Sequence, residues 1–578
     1  MRILFLCHGF NSLTQRLYVE LMERGHEVSV EFDINDAVTV AAVELYRPDL
    51  IIAPYLRRAI PETVWRRHVC LVLHPGIPGD RGPSALDWAI MDGAARWGVT
   101  VLQANGELDG GDIWAHAEFP MRDARKSSLY RNEVTEAAVT AMLVAVERFA
   151  GGGFVPQPLD YRDPGVAGRA RPLMRQTGRR IDWQHDDSET VLRKIRAADG
   201  APGVEDEIFG EGYLLFDACA EDSLGGPPGA IIARRDGAVC RATRDGAVWI
   251  GHLRRIDLRA ETFKLPAVRA LGAAADRVPE VSAGPGTGSS TYREIRYEEE
   301  AGAGFLYFDF YNGAMDTAQC QRLLDAYRQA CARPTRVIVL FGGRDFWSNG
   351  IHLNVIEAAE SAADESWRNI NAMNDLAHAV ITTPSHWTIS ALRGNAGAGG
   401  VFLALAADQV WARSGVVLNP HYRSMGNLYG SEYWTYLLPR RVGAQQAESV
   451  TGNRLPLGAA AALRLGLIDA HFGRDEEEFC SAVRERALRL AADPSLHAML
   501  ARKQSRRVQD EAVRPLQAYR KEELEHLRMN FYGFDPSYHV ARYHFVHRVP
   551  HSWTPLHLAR HRRLDWIAAP ESHLADQA

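Results

Sequence analysis

Residues 71–112 read LVLHPGIPGDRGPSALDWAIMDGAARWGVTVLQANGELDGGD. A short apolar run, residues 70–73, delivers His74 at its carboxyl end. A loop rich in Pro and Gly follows to Gly82, a helix from Ser84 carries the chain away, and a second strand over residues 99–103 returns it to Asp109. In an open α/β sheet, ligands sit at strand ends, so this order predicts that His74 and Asp109 converge there as an acid/base pair.

Upstream, residues 2–7 form a buried strand and a helix over residues 15–24 ends at Gly25. A strand over 27–31, a helix over 37–46 and a strand over 50–53 follow. This alternation with short turns signals βαβ units and a parallel sheet. Gln15 falls in the first turn after the first strand, where such folds touch ligands; a solvated helix residue is the other reading. Ser127 or Ser128 can cap a helix running to Arg148, which puts Arg131 in the first turn. A cation there opposes the helix dipole by about 0.3 to 1 kcal/mol, and a bound phosphate would reverse the mismatch. An exposed arginine without a partner is the alternative.

The whole chain sets limits on these readings. Its 578 residues are ample for several buried cores, and 46% hydrophobic with 24% charged residues is a globular composition. A formal net charge of -6 leaves no basic footprint for nucleic acid. Seven cysteines are scattered without a Cys-x-x-Cys pair, so neither a disulfide framework nor a metal site is indicated. The amino-terminal apolar run is too short for a signal sequence and no stretch is long enough to span a membrane, so a cytoplasmic protein is expected.

The order of the His loop, Arg81-Gly82, a helix, the Gly98-Val99-Thr100 strand and Leu108-Asp109-Gly110-Gly111 resembles the folate-dependent formyltransferases. The resemblance implies a Rossmann-like catalytic domain over residues 1–150, with His74 and Asp109 assisting transfer from 10-formyl-tetrahydrofolate. The family also has an Asn two residues before its His; Val72 stands there, and the loop to Arg81 is one residue shorter. After a connector over residues 151–180, residues 181–268 resemble the OB-like carboxy-terminal subdomain of methionyl-tRNA formyltransferase. That segment is not notably basic, which disfavours tRNA.

Residues 269–293, rich in Ala, Gly, Pro and Ser, read as a linker. Residues 294–500 then resemble the crotonase (enoyl-CoA hydratase/isomerase) superfamily through GGRDFWSNGIHLN and GNAGAGGVFLALAADQVWA. The resemblance implies a ββα spiral and a thioester oxyanion hole made by the backbone N–H groups of Ile351 and Gly399. Gly-rich turns let amides approach an oxyanion closely, and one such donor is worth about 3 kcal/mol. At the two positions where hydratases carry glutamates stand Phe402 and His421. Adding water to a double bond needs two placed acid/base groups, so ordinary hydration is excluded on this pattern. In LNPHYRSMGNLYGSEYW, Tyr422 and Glu432 are the ionisable residues nearest the expected site. Residues 501–578 form a helical extension in which Arg542 is a phosphate candidate.

The chain is therefore expected to be an α/β protein: a Rossmann-like formyltransferase fold with an OB-like subdomain, followed by a crotonase-like domain. Their fusion resembles a family of hydrogenase maturation proteins. That resemblance implies transfer of the formyl group to coenzyme A, cleavage of formyl-CoA to carbon monoxide and CoA, and service to the NiFe-hydrogenase maturation machinery. It further implies small-molecule substrates, while the charge and hydropathy above lead to the expectation of no nucleic acid and no membrane. Two alternatives stay open: formylation of an amine beside an acyl-CoA hydrolase or isomerase, and a non-enzymatic folate- and CoA-binding scaffold.

Overall fold

The computed structural model describes residues 1–283 and 290–563. Its first sheet is built from β1 (Arg2–Cys7), β2 (Glu27–Phe32), β3 (Leu50–Tyr55), β4 (Cys70–His74), β5 (Arg96–Gln103) and β6 (Ile113–Pro120) in the order β2-β1-β3-β4-β5-β6. The first four are parallel, as the βαβ pattern predicts. The last two are not: β5 runs antiparallel to β4, and β6 to β5. Residues 104–112 are too few for a crossover, which needs a dozen or more, so β6 can only fold back along β5. Strand β5 also begins at Arg96, earlier than expected, because Trp97 and Gly98 pair with Phe119 and Glu118.

Two expected helices differ in detail. The first spans Ser12–Glu23, with the Asn11 side chain accepting the Thr14 N–H at 3.0 Å. The helix near Arg131 is a short α turn (Lys126–Leu129), a π turn (Tyr130–Val134) and a long α segment (Thr135–Gly151). Its start carries no side-chain cap, because the serines expected to cap it are turned to other domains: Ser127 donates to Asp199 at 2.5 Å and Ser128 to Asp345 at 2.6 Å. The connector is more than a tether. Gly168 N–H donates to Pro78 and Arg171 N–H to Arg81, both at 2.9 Å, so it clamps the loop after His74.

The second unit is a six-stranded antiparallel sheet in the order Val204–Ile208, Glu211–Glu221, Ala247–Arg255, Ala238–Ala242, Ile231–Arg235, with the short strand Leu265–Pro266 also paired to Ala247–Arg255. Part of the expected linker belongs to it: Ala267–Leu271 is helical, and Val281 N–H donates to Arg234 at 3.0 Å. Residues 284–289 of that linker lie outside the described residues.

The third unit repeats one device. Val337–Phe341, Trp387–Leu392 and Gln409–Arg413 lie in a six-stranded sheet, and each is followed by a short strand (Phe346–Ser348, Asn395–Gly397, Val417–Asn419) in a second sheet. Helices such as Thr317–Cys331 return the chain for the next turn, giving the expected spiral. A short helix, Leu353–Glu357, precedes the long helix Ala362–Ile381. Among the described residues, no helix is long and apolar enough to cross a membrane.

Helices Leu496–Val513, Leu516–Tyr532 and Ser537–Val546 close the spiral. The chain then crosses back to the first sheet. Thr554 accepts the Phe32 N–H at 2.8 Å, Val30 N–H donates to Leu558, and His561 and Arg562 reach the buried carboxylate of Glu31. The exposed edge of β2 is thereby covered. Residues 564–578 of the expected helical extension lie outside the described residues.

The two halves are also bolted directly. Arg16 donates to Glu136 at 3.0 Å and to the Gly415 carbonyl at 2.8 Å, while Arg413 donates to the same Glu136 at 2.9 Å.

Candidate functional site

In the first half, His74 ends β4 and is 4% exposed. Its Nδ1 lies 3.5 Å from Asp109 Oδ1, so the expected pair does meet. The route differs from the one expected. The 104–112 loop brings Asp109 back from an antiparallel hairpin, with Asp109 in the left-handed region (φ 51°) and its other oxygen accepting the Gly82 N–H at 3.1 Å. Sequence reasoning missed a third member. Asp80, 2% exposed, accepts a hydrogen bond from His74 Nε2 at 2.9 Å. It lies six residues after the His, in a Gly-rich loop whose sequence does not show which polar side chain turns inward. Val72 is half-buried in an apolar cluster with Leu4, Leu6 and Ile51, and supplies no amide there.

In the second half, the two glycine turns that carry the expected oxyanion donors approach each other: a Cβ on Gly350, the residue before Ile351, would stand 3.4 Å from the Gly399 nitrogen. Gly399 opens the helix Gly399–Leu405, so its N–H has no acceptor within that helix. Ala398 before it holds an unusual conformation (φ 48°, ψ -126°), which aims this amide. Over the turn lies Glu432, whose carboxyl would be 2.3 Å from any Cβ at Gly399. Only glycine admits the carboxyl to this position.

Tyr422 and Glu432, paired from sequence, are hydrogen-bonded to each other, and the Ser431 carbonyl is 2.9 Å from the Tyr422 hydroxyl. Glu432 is 1% exposed and its Oε1 receives no hydrogen bond. Burial pushes its carboxyl up to about 8, and the nearby Glu523 charge adds to that; burial also holds Tyr422 well above its ordinary value. Phe402, at one of the two missing-glutamate positions, stacks on the Tyr422 ring at 5.2 Å. His421, at the other, is buried, and burial pushes it down to about 4, which keeps it neutral.

Glu432 and Tyr433 both have left-handed backbones (φ 57° and 58°), a costly arrangement that needs outside support. Asn374 accepts the Glu432 N–H at 2.8 Å. Glu523 accepts the N–H groups of Tyr433 at 3.0 Å and Thr435 at 2.9 Å. Neither support was predicted, because both come from distant helices. A cavity of about 320 Å³, lined by Tyr422, Arg423, Leu428, Tyr429 and Trp434 among others, adjoins the pair.

Of the remaining expected residues, Gln15 and Arg131 sit where the two halves meet and Arg542 within the second half. Gln15 accepts from Asn419 at 2.9 Å, and the Asn419 carbonyl accepts the Ala398 N–H. Arg131 donates to Asn312 at 3.0 Å, lies 3.5 Å from Asp345 and covers the Phe346 ring, so it faces the second half instead of solvent. Arg542 is 6% exposed and is held by Glu357 and His539, both at 2.7 Å.

Comparisons with known proteins follow this geometry. An enoyl-CoA hydratase/isomerase family model matches residues 311–553, a formyl transferase model residues 33–146, and a formyl transferase C-terminal domain model residues 173–264. The chain is 58% identical, over 97% of its own length and 97% of the other's, to the hydrogenase maturation factor HoxX of Bradyrhizobium diazoefficiens. It is 27% identical to the methionyl-tRNA formyltransferase of Thermotoga maritima, over 40% of this chain and 73% of that protein. The crystal structure of HypX from Aquifex aeolicus in complex with tetrahydrofolic acid superposes with a TM-score of 0.94 at 52% identity, covering 98% of this chain and 99% of that one.

Proposed function

Because the chain belongs to the HypX/HoxX family of hydrogenase maturation factors, we propose that it transfers the formyl group of 10-formyl-tetrahydrofolate to coenzyme A and then splits formyl-CoA to carbon monoxide and CoA. The carbon monoxide serves NiFe-hydrogenase maturation in the cytoplasm. The first step belongs to His74 and Asp109, which lie 3.5 Å apart, and a related structure is a complex with tetrahydrofolic acid.

One observation carries the second step: the Tyr422–Glu432 hydrogen bond beside the Gly399 turn, where the hydratase glutamates are absent. The Ile351 and Gly399 N–H groups bind the formyl oxygen. Glu432 is the base, since its carboxyl ionises near pH 8 and the Tyr422 hydroxyl far higher. Ionised Glu432 takes the formyl proton, and the C–H pair stays on carbon as the lone pair of carbon monoxide. The C–S bond breaks with its electrons on sulfur, and Tyr422 protonates the thiolate. The short contact between the two side chains then returns the proton from Glu432 to Tyr422. Gln15, Arg131 and Arg542 bind the CoA or folate, Gln15 and Arg131 from the surface between the halves.

The test is carbon monoxide release, trapped by reduced haemoglobin, from protein given 10-formyl-tetrahydrofolate and CoA. A formylated amine without carbon monoxide would favour an amine acceptor, and no turnover of either compound would favour a binding scaffold.

A further inference from the structure

The formyltransferase half carries a group that the transfer reaction described so far does not use. Asp80 is 2% exposed, and its Oδ2 accepts from His74 Nε2 at 2.9 Å. Its Oδ1 receives no hydrogen bond, and the nearest cation there, Arg171, stands 4.0 Å away. The carboxylate is thus directed at one partner. The chain makes room for the contact: a Cβ on Gly76 would fall 2.5 Å from His74 Nε2 and 2.6 Å from Asp80 Oδ2. The connector holds the loop shut over it, with Gly168 packed so closely that a Cβ there would stand 1.9 Å from the Asp80 nitrogen.

Resting on the function proposed above, we infer that Asp80 is a positioning residue that adapts the His74 site to a thiol acceptor. An amine attacks as the neutral base and loses its proton afterwards. A thiol is a poor nucleophile until ionised, and a free thiol with a pKa of about 8.5 is only a few per cent thiolate at neutral pH. A base must therefore act before or during attack. A carboxylate accepts but does not donate, so the closer contact, Asp80 at 2.9 Å, holds the proton on His74 Nε2, while Asp109, the more exposed carboxylate, stands farther off at 3.5 Å on the side of the Nδ1 lone pair. It also stabilises the imidazolium that forms, the part a buried aspartate plays behind a catalytic histidine.

The step balances. His74 Nδ1 takes the proton of the CoA S–H group as a sulfur pair attacks the formyl carbon. The tetrahedral intermediate collapses, the C–N pair leaves on the folate N10, and the imidazolium returns the proton to that nitrogen. The products are formyl-CoA and tetrahydrofolate, with nothing oxidised or reduced.

The experiment follows CoA-dependent tetrahydrofolate formation between pH 6.5 and 9.5 in full-length wild type, Asp80→Asn and Gly76→Ala, with tetrahydrofolate binding as the folding control. The Asn charge loss and its N–H, which favours the opposite tautomer, are expected to slow transfer by about 10² to 10⁴-fold near pH 7. The deficit is expected to shrink at least about tenfold by pH 9.5, as the acceptor thiol ionises unaided. Gly76→Ala, which wedges the pair apart with Asp80 intact, should show the same pH-dependent recovery. A deficit equal at every pH, or a loss under about threefold, would overturn the role of Asp80 while leaving formyl transfer to CoA standing. A wild type that makes no tetrahydrofolate with CoA defeats the proposed function and the role of Asp80 together.

Discussion

The two halves place a proton-handling group on opposite electrostatic footings. His74 sits between two carboxylates, one at each ring nitrogen, so any proton it takes is met by negative charge. Glu432 has a tyrosine hydroxyl as its side-chain partner and another carboxylate, Glu523, nearby; burial pushes it up to about 8. The first arrangement suits a base that must become a cation and relax again. The second suits an acid/base group held close to neutrality, able to take a proton from carbon in a site that excludes water.

The comparison breaks most visibly if either site can do the other's work. Glu432→Gln is expected to abolish carbon monoxide formation, by about 10² to 10⁴-fold, while formyl-CoA accumulates and is read by mass spectrometry. His74→Ala is expected to do the reverse, stopping tetrahydrofolate formation by a comparable factor but leaving cleavage of supplied formyl-CoA near the wild-type rate. A variant that loses both steps equally would dissolve the division.

A subtler effect concerns pH. With Glu432 acting ionised, cleavage of formyl-CoA should rise with pH and level off above about 8. Removing the Glu523 charge with Glu523→Gln takes away one cause of the raised value, so the rising limb should move to lower pH. A limb that stays in place would remove Glu523 from the electrostatics and leave it only its hydrogen bonds from the Tyr433 and Thr435 N–H groups and the Ser431 and Thr435 hydroxyls.

The smallest effect is on stability. Glu432 is neutral in the fold up to about pH 8, whereas in the unfolded chain it ionises near its ordinary value of 4.5. Between those values the folded state binds more protons, so stability falls as pH rises through that window. The melting temperature should therefore decline from pH 5 to 8, and less steeply in Glu432→Gln.

Much of this was legible in the sequence because the first site is local. His74, its Pro/Gly loop and the Asp109 turn lie in one stretch, and a six-residue separation joins His74 to Asp80. Asp80 was still overlooked, since nothing in a Gly-rich loop reveals which polar side chain turns inward. The second site is assembled across the chain: 58 residues separate Asn374 from Glu432, and 90 separate Tyr433 from Glu523. Periodicity marks those helices but not the inward aim of one polar residue on each. The reversal of β5 escaped because apolar runs look alike in either direction, whereas β6 is turned back by the shortness of its 104–112 connection. The return of residues 551–563 to the β2 edge lay hidden in a tail of mixed His, Arg and aromatic residues with no period at all.

The most direct test of two sites acting in sequence is to supply 10-formyl-tetrahydrofolate labelled with ¹³C in the formyl group, together with CoA, to wild type and to Tyr422→Phe. The account predicts labelled carbon monoxide from the wild type and labelled formyl-CoA, with little carbon monoxide, from the variant. Labelled carbon monoxide from Tyr422→Phe at the wild-type rate, or label recovered only as formate, would contradict it.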